Sequence, residues 1–242
     1  METHAQGGLP LWPLPALAAA LPFLATWIAF ALSVQGGWIE ACNPFWDGCT
    51  SISRAARHGS GNAVFRALVL PAATLQVLAW RFMAQWLRGE GRPCGAALAW
   101  TGLVAGVFLI LYATFLGTDG DIYRLLRRYG IHVYFGATFL AALLVLRALA
   151  RERPDPAFRP LAVITAAMVL LGLANLAIGE LATSGTVKDR WQNVTEWHVG
   201  LWLTGMFVLF AWRWRGLRIR LHQEPATPAR INAAGRPPGR KP

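Results

Sequence analysis

Six stretches of this sequence stay apolar for about twenty residues each, and no other property narrows the fold as far. They run over 11–33, 62–87, 96–117, 131–149, 159–181 and 194–214. A hydrocarbon layer of roughly 30 Å takes about 20 helical residues to cross. In lipid the backbone must satisfy its own hydrogen bonds, which leaves helices or a closed barrel. The runs lack the two-residue alternation of barrel strands, so helices are predicted. Composition agrees: 14% of the residues are charged, where a soluble domain carries about 25%. The predicted fold is therefore all-α, a polytopic membrane protein with six transmembrane helices in a single domain over 1–215. Residues 216–242, rich in Pro, Arg and Gly, read as a disordered basic tail.

The net charge of +11 would suggest nucleic acid in a soluble protein. Here anionic lipid headgroups are the simpler partner, and no nucleic-acid module is present. Basic residues also set orientation when counted in short loops. Arg88, Arg92, Arg151, Arg153, Arg159 and the tail arginines fall on one side. Arg54, Arg57, Arg124, Arg127, Arg128, Lys188 and Arg190 fall on the other. The bias places both termini in the cytoplasm and loops 1, 3 and 5 outside. Cys42 and Cys49 then share an outward loop where a disulfide is expected, while Cys94 faces the reducing side. Eight tryptophans near span ends, Trp197 and Trp214 among them, read as an interfacial belt.

Loop 3 carries its own pattern. Gly117 suits the C-cap of the third span, and Thr118 with Asp121 fits a capping box opening a short helix. Ile122, Leu125, Leu126 and Tyr129 line one face of that helix and Arg124, Arg127 and Arg128 the other. It is expected to lie flat at the interface, with the three arginines as donors to lipid phosphate. In the third span Gly102 and Gly106 form a GxxxG pair that lets helices approach closely. Gly172, Asn175 and Gly179 share one face of the fifth span, and Gln76 sits at depth in the second.

Ionisable residues inside spans are costly and are therefore candidates for function. Arg66, His132, Glu180, Glu196 and His198 lie near the outer span ends, with His58, Asp119 and Asp121 just beyond. Together with Asn193 they are expected to line one outer-leaflet polar pocket. Glu180 opposes its helix dipole and calls for a cation such as Arg66. Asn193 and Glu196 have the spacing of a capping box for the sixth span. His58, His132 and His198 could supply three imidazoles to a zinc ion and its water, though their spacing matches no local ligand motif.

The segment "SISRAARHGSGNAVF" in the first loop is similar to the Ile-Ser-Asp-x-Gly segment with a following Phe in the damage-regulated autophagy modulator (DRAM) and Sfk family. Ile52, Ser53 and Phe65 carry the match, and His132 and the Glu196-Trp197 pair also resemble that family. Arg54 and Ala56 depart from it, standing where the family has Asp and Gly. The resemblance implies a six-helix membrane protein of lipid or membrane homeostasis and assigns no catalytic residue. The Ala- and Arg-rich composition reads as a bacterial homologue, placed in the inner membrane.

The function expected is recognition of lipid headgroups in the outer-leaflet pocket, with membrane lipids as partners, a homo-oligomer left open and no cofactor. The alternative is a metal-dependent hydrolase of a lipid amide or ester, with zinc on the histidines and Glu196 or Asp121 as general base. Transport has no support from paired broken helices or an inverted repeat.

Overall fold

A computed structural model of the chain describes residues 8–92, 94–150, 155–182 and 184–219. It contains six long helices: α1 (Pro13–Gln35), α3 (Gly59–Gly89), α4 (Ala96–Phe115), α5 (Asp121–Leu149), α6 (Phe158–Leu181) and α7 (Gly185–Arg213). All six are long and apolar enough to cross a bilayer, so the chain is a multi-pass membrane protein. A single-turn helix, α2 (Ile52–Ala55), interrupts the first loop.

Each long helix packs on the one before it, and α7 closes onto α1. The result is a ring in chain order, α1, α3, α4, α5, α6, α7. The α3–α4 seam is tight because of the glycine pair: a Cβ on Gly102 would fall 2.2 Å from Trp80 Cβ, and one on Gly106 would fall 2.1 Å from Val77 Cγ2. Trp80 is thereby wedged into the centre, where its ring meets Phe207 and Phe210 of α7 at 5.7 and 5.5 Å. By contrast, α5 and α6 make the thinnest seam of the ring.

Two short strands, β1 (Leu9–Pro10) and β2 (Arg218–Ile219), pair antiparallel with Leu9 opposite Ile219. They bring both ends of the described chain to one end of the ring, the terminal end. Residues 216–219 of the expected tail are thus part of this clasp, and 220–242 lie outside the described residues. A buried carboxylate fastens the same end. Asp155, its side chain 1% exposed, lies 3.1 Å from Arg213 and 3.7 Å from Arg92. Its Oδ1 also accepts from the Ala157 amide at 2.9 Å, fixing the start of α6. Arg92 Nη1 donates to the Ala148 and Leu149 carbonyls at the end of α5. Three helix ends are therefore tied through one side chain.

Three expectations from the sequence are corrected. The loop-3 segment is helical, but it runs without a break into the span as the first turns of α5 and is not a separate flat helix. Gly130 permits this by seating against α4, where a Cβ would be 3.1 Å from the Phe108 carbonyl and the Tyr112 backbone. The Thr118–Asp121 capping box does not form; Gly120 (φ +125°) is the N-cap, and Asp121 pairs with Arg124 instead. Likewise α7 starts at Gly185, so Asn193 and Glu196 lie inside it and cap nothing. Gly117 does occupy the left-handed position that ends α4, at φ +83°.

Candidate functional site

The end opposite the termini is covered by the first loop, and the sequence of α7 explains how it stays there. Residues spaced three and four apart share one helix face. On α7 that face holds Arg190, Asn193, Trp197 and Gly200, and each meets the loop. Arg190 donates to the Asp47 and Trp46 carbonyls, Asn193 Nδ2 to the Gly48 carbonyl at 2.8 Å, and Trp197 Nε1 to the Thr50 carbonyl at 2.9 Å. Next to Trp197 in the chain, Glu196 Oε1 accepts from the Ser53 amide at 3.1 Å. A Cβ on Gly200 would reach within 3.1 Å of Ile52 Cδ1, so the bare glycine leaves room for that side chain. Gly48 (φ +61°) is needed twice, for its conformation and because a Cβ would lie 2.3 Å from the Arg190 carbonyl.

The loop's own structure supports this docking. Cys42 and Cys49 are joined by a disulfide, Cα to Cα 6.6 Å. Asp47 Oδ2 accepts from the Asn43 amide within the same ring. Phe45 packs with Trp27 and Trp197. Asn62 Nδ2 donates to the carbonyls of Ala56 and Leu116, tying the loop to the end of α4. The first loop is thus a fixed lid.

Beneath the lid, at the thin α5–α6 seam, lies a cleft of about 890 Å³. Arg57 of the lid and Arg124, Arg127, Arg128 and His132 of α5 line its mouth. Arg127 is anchored to the Phe115 and Thr118 carbonyls, whereas the Arg128 side chain is exposed and has no ion-pair partner among the described residues. Deeper, the walls are apolar: Phe135 and Phe139 on α5, Met168, Leu173 and Leu176 on α6. Gly136 and Gly172 leave the seam open, and Leu173 and Leu176 are exposed on the outer surface of the ring. Asn175 of α6 and Gln192, Thr195 and Glu196 of α7 add polar groups to the far wall. Glu196 also borders a second, smaller cavity of about 110 Å³ in the ring's centre. There the Tyr134 hydroxyl donates to Gln76 Oε1 at 3.1 Å.

The residues expected in one pocket divide into three groups. His132 and Glu196 share the cleft, alongside the three α5 arginines expected at lipid phosphate. Asn193 and His198 face the lid: the His198 ring bonds the Val194 carbonyl at 2.9 Å and meets Phe45 and Trp46 edge-on. The others stand apart. His58 stacks on Trp38 with ring centroids 5.0 Å apart, and Asp119, Asp121 and Glu180 are exposed. Arg66 and Glu180 do not pair, because α3 neighbours α1 and α4 while α6 neighbours α5 and α7. His58, His132 and His198 do not converge either. Among the described residues no group of three His, Cys, Asp or Glu side chains is placed to hold a metal ion. Trp197 and Trp214 are buried, at 2% and 0% exposure, and belong to the core and not to the interfacial belt.

Sequence reasoning passed over Asp155 and the lid carbonyls. A lone Asp among the arginines at that end was a readable signal for the first. The second leaves no trace in side-chain chemistry. No protein-family model, curated protein or solved structure matches this chain.

Proposed function

We propose that the protein recognises a phospholipid, with its phosphate at the cleft arginines and its chain along the α5–α6 seam. The observation that carries this reading is the form of the cleft: guanidinium groups at its mouth, apolar side chains below them, and an opening at a seam between two exposed apolar helices. Guanidinium presents a planar fork of donors suited to phosphate oxygens. An apolar wall continuous with the surface of the ring lets a lipid enter without leaving the bilayer. In the same reading the lid end faces outward and both termini face the cytoplasm of a bacterial inner membrane, as the basic-residue bias and the lid disulfide favour. A place among DRAM- and Sfk-like proteins belongs to the proposal too. It is supported by the six helices and by the meeting of Ile52 and Ser53 with Gly200 and Glu196.

Binding of phosphatidylglycerol to the purified protein, followed by native mass spectrometry, tests the reading. Charge-assisted hydrogen bonds contribute about 1.5–3 kcal/mol each. Changing Arg124, Arg127 and Arg128 together to Gln is therefore expected to weaken binding by roughly 100-fold or more. Undiminished binding would reject the site. Release of a fatty acid or amine from the bound lipid would support the hydrolase instead.

Orientation has its own test, using the two ends of α3. Single cysteines at Ser60 and Glu90, both exposed, are to be labelled in intact cells with an impermeant maleimide. Ser60 is expected to react and Glu90 to be protected; the reverse would invert the topology. Cys94 is a poor reporter, because burial pushes its thiol above the usual range.

A further inference from the structure

The polar groups deep in the cleft place a demand on the lipid that the arginines do not. Asn175 Oδ1 is buried and has no hydrogen-bond partner. A buried acceptor left without a donor is costly, which makes it an indicator of a missing ligand group. Across the cleft Glu196 adds a carboxylate, of which one oxygen holds the Ser53 amide. Asn175 Oδ1 and the Glu196 carboxyl stand at one level. At 1.5 Å per residue, Asn175 is ~25 Å along α6 from the terminal end, and Glu196 is ~25 Å along α7 from it. Arg128 and Arg124 are ~31 and ~37 Å along α5 from the same end. The acceptors therefore lie below the arginines by about one to two helical turns.

A phospholipid with its phosphate at the arginines would set the atoms linking phosphate to chains at this lower level. In a fully esterified diacyl lipid those atoms are acceptors only, and they would leave Asn175 Oδ1 without a donor. We infer that the ligand is a phospholipid bearing a hydroxyl or amide N–H between its phosphate and its chains, donated to Asn175 and Glu196. This rests on the phospholipid reading above and narrows it to a class.

The test holds the headgroup constant. Sphingomyelin, which carries an amide and a hydroxyl at that level, is compared with diacyl phosphatidylcholine of matched chain length by native mass spectrometry. Satisfying the buried acceptor is expected to favour sphingomyelin by about tenfold. Asn175→Leu is expected to abolish most of that preference, and its position on an exposed, thinly packed stretch of α6 lets the fold absorb the change. Glu196→Gln is the second variant: its carbonyl can still accept from Ser53, while loss of the carboxylate is expected to reduce the preference. Equal binding of the two lipids by the unaltered protein would overturn the inference and leave the phosphate site standing. If neither lipid bound, and phosphatidylglycerol failed as well, both readings would fall.

Discussion

Replacing Asp155 by alanine is expected to lower stability by roughly 3–5 kcal/mol, the usual cost of removing one partner from a buried ion pair. The size follows from what remains. Arg213 and Arg92 would keep their charges in a site where the carboxylate is 1% exposed, and the Ala157 amide would lose its acceptor. Arg213 would retain its position over the Trp86 ring, 4.7 Å from the centroid, which offsets part of the loss. Thermal unfolding in detergent, followed by tryptophan fluorescence, measures the effect. Adding Arg213→Met to Asp155→Ala should recover part of it, since an apolar residue leaves one fewer buried charge. A single variant within 1 kcal/mol of the parent would show that the three helix ends are held by other means.

The second large effect is expected at Trp197. Truncation to alanine empties a site 2% exposed, where the ring meets Trp27, Phe30 and Phe45. It also removes the bond to the Thr50 carbonyl. Core aromatic-to-alanine changes cost about 3–5 kcal/mol. Trp197→Phe keeps most of the packing and loses the hydrogen bond, so a deficit of about 1 kcal/mol is expected. The two variants should differ in the lid as well. Amide exchange across residues 46–53 is expected to rise strongly in Trp197→Ala and modestly in Trp197→Phe. Unchanged exchange in both would mean that the lid does not depend on this face of α7.

The six helices were legible because a bilayer imposes one strong pattern, twenty apolar residues in a row. Their ends were less so. Counting apolar residues begins the fourth span at Ile131 and the sixth at Val194, yet α5 starts at Asp121 and α7 at Gly185. A helix need not end where the hydrocarbon does, and polar residues such as Arg124 or Lys188 continue it into the headgroup layer. The α5 arginines and Glu196 were identifiable from charge alone. Which of the candidates meet was not, since that depends on ring order: Arg66 of the second span and Glu180 of the fifth lie at the same end, and the ring separates them. Asn193 and Glu196 had capping-box spacing, but their partners are backbone groups more than 140 residues away, which no local pattern encodes.

That distance has a consequence in time. Every bond holding the lid to α7 joins residues between 143 and 147 positions apart. A ribosome adding 5–20 residues per second delivers the lid on the order of ten seconds before the helix it will rest on. During that interval the nascent loop has only its short-range ties, the Asn43–Asp47 turn and a disulfide closing over a sequence separation of 7. Neither tie involves α7, so the lid can be shaped before its dock exists. Insertion of the last helix then completes the lid and closes the ring in one event, and a chain halted before α7 would expose an unfinished seam on α1 to the bilayer's quality-control machinery.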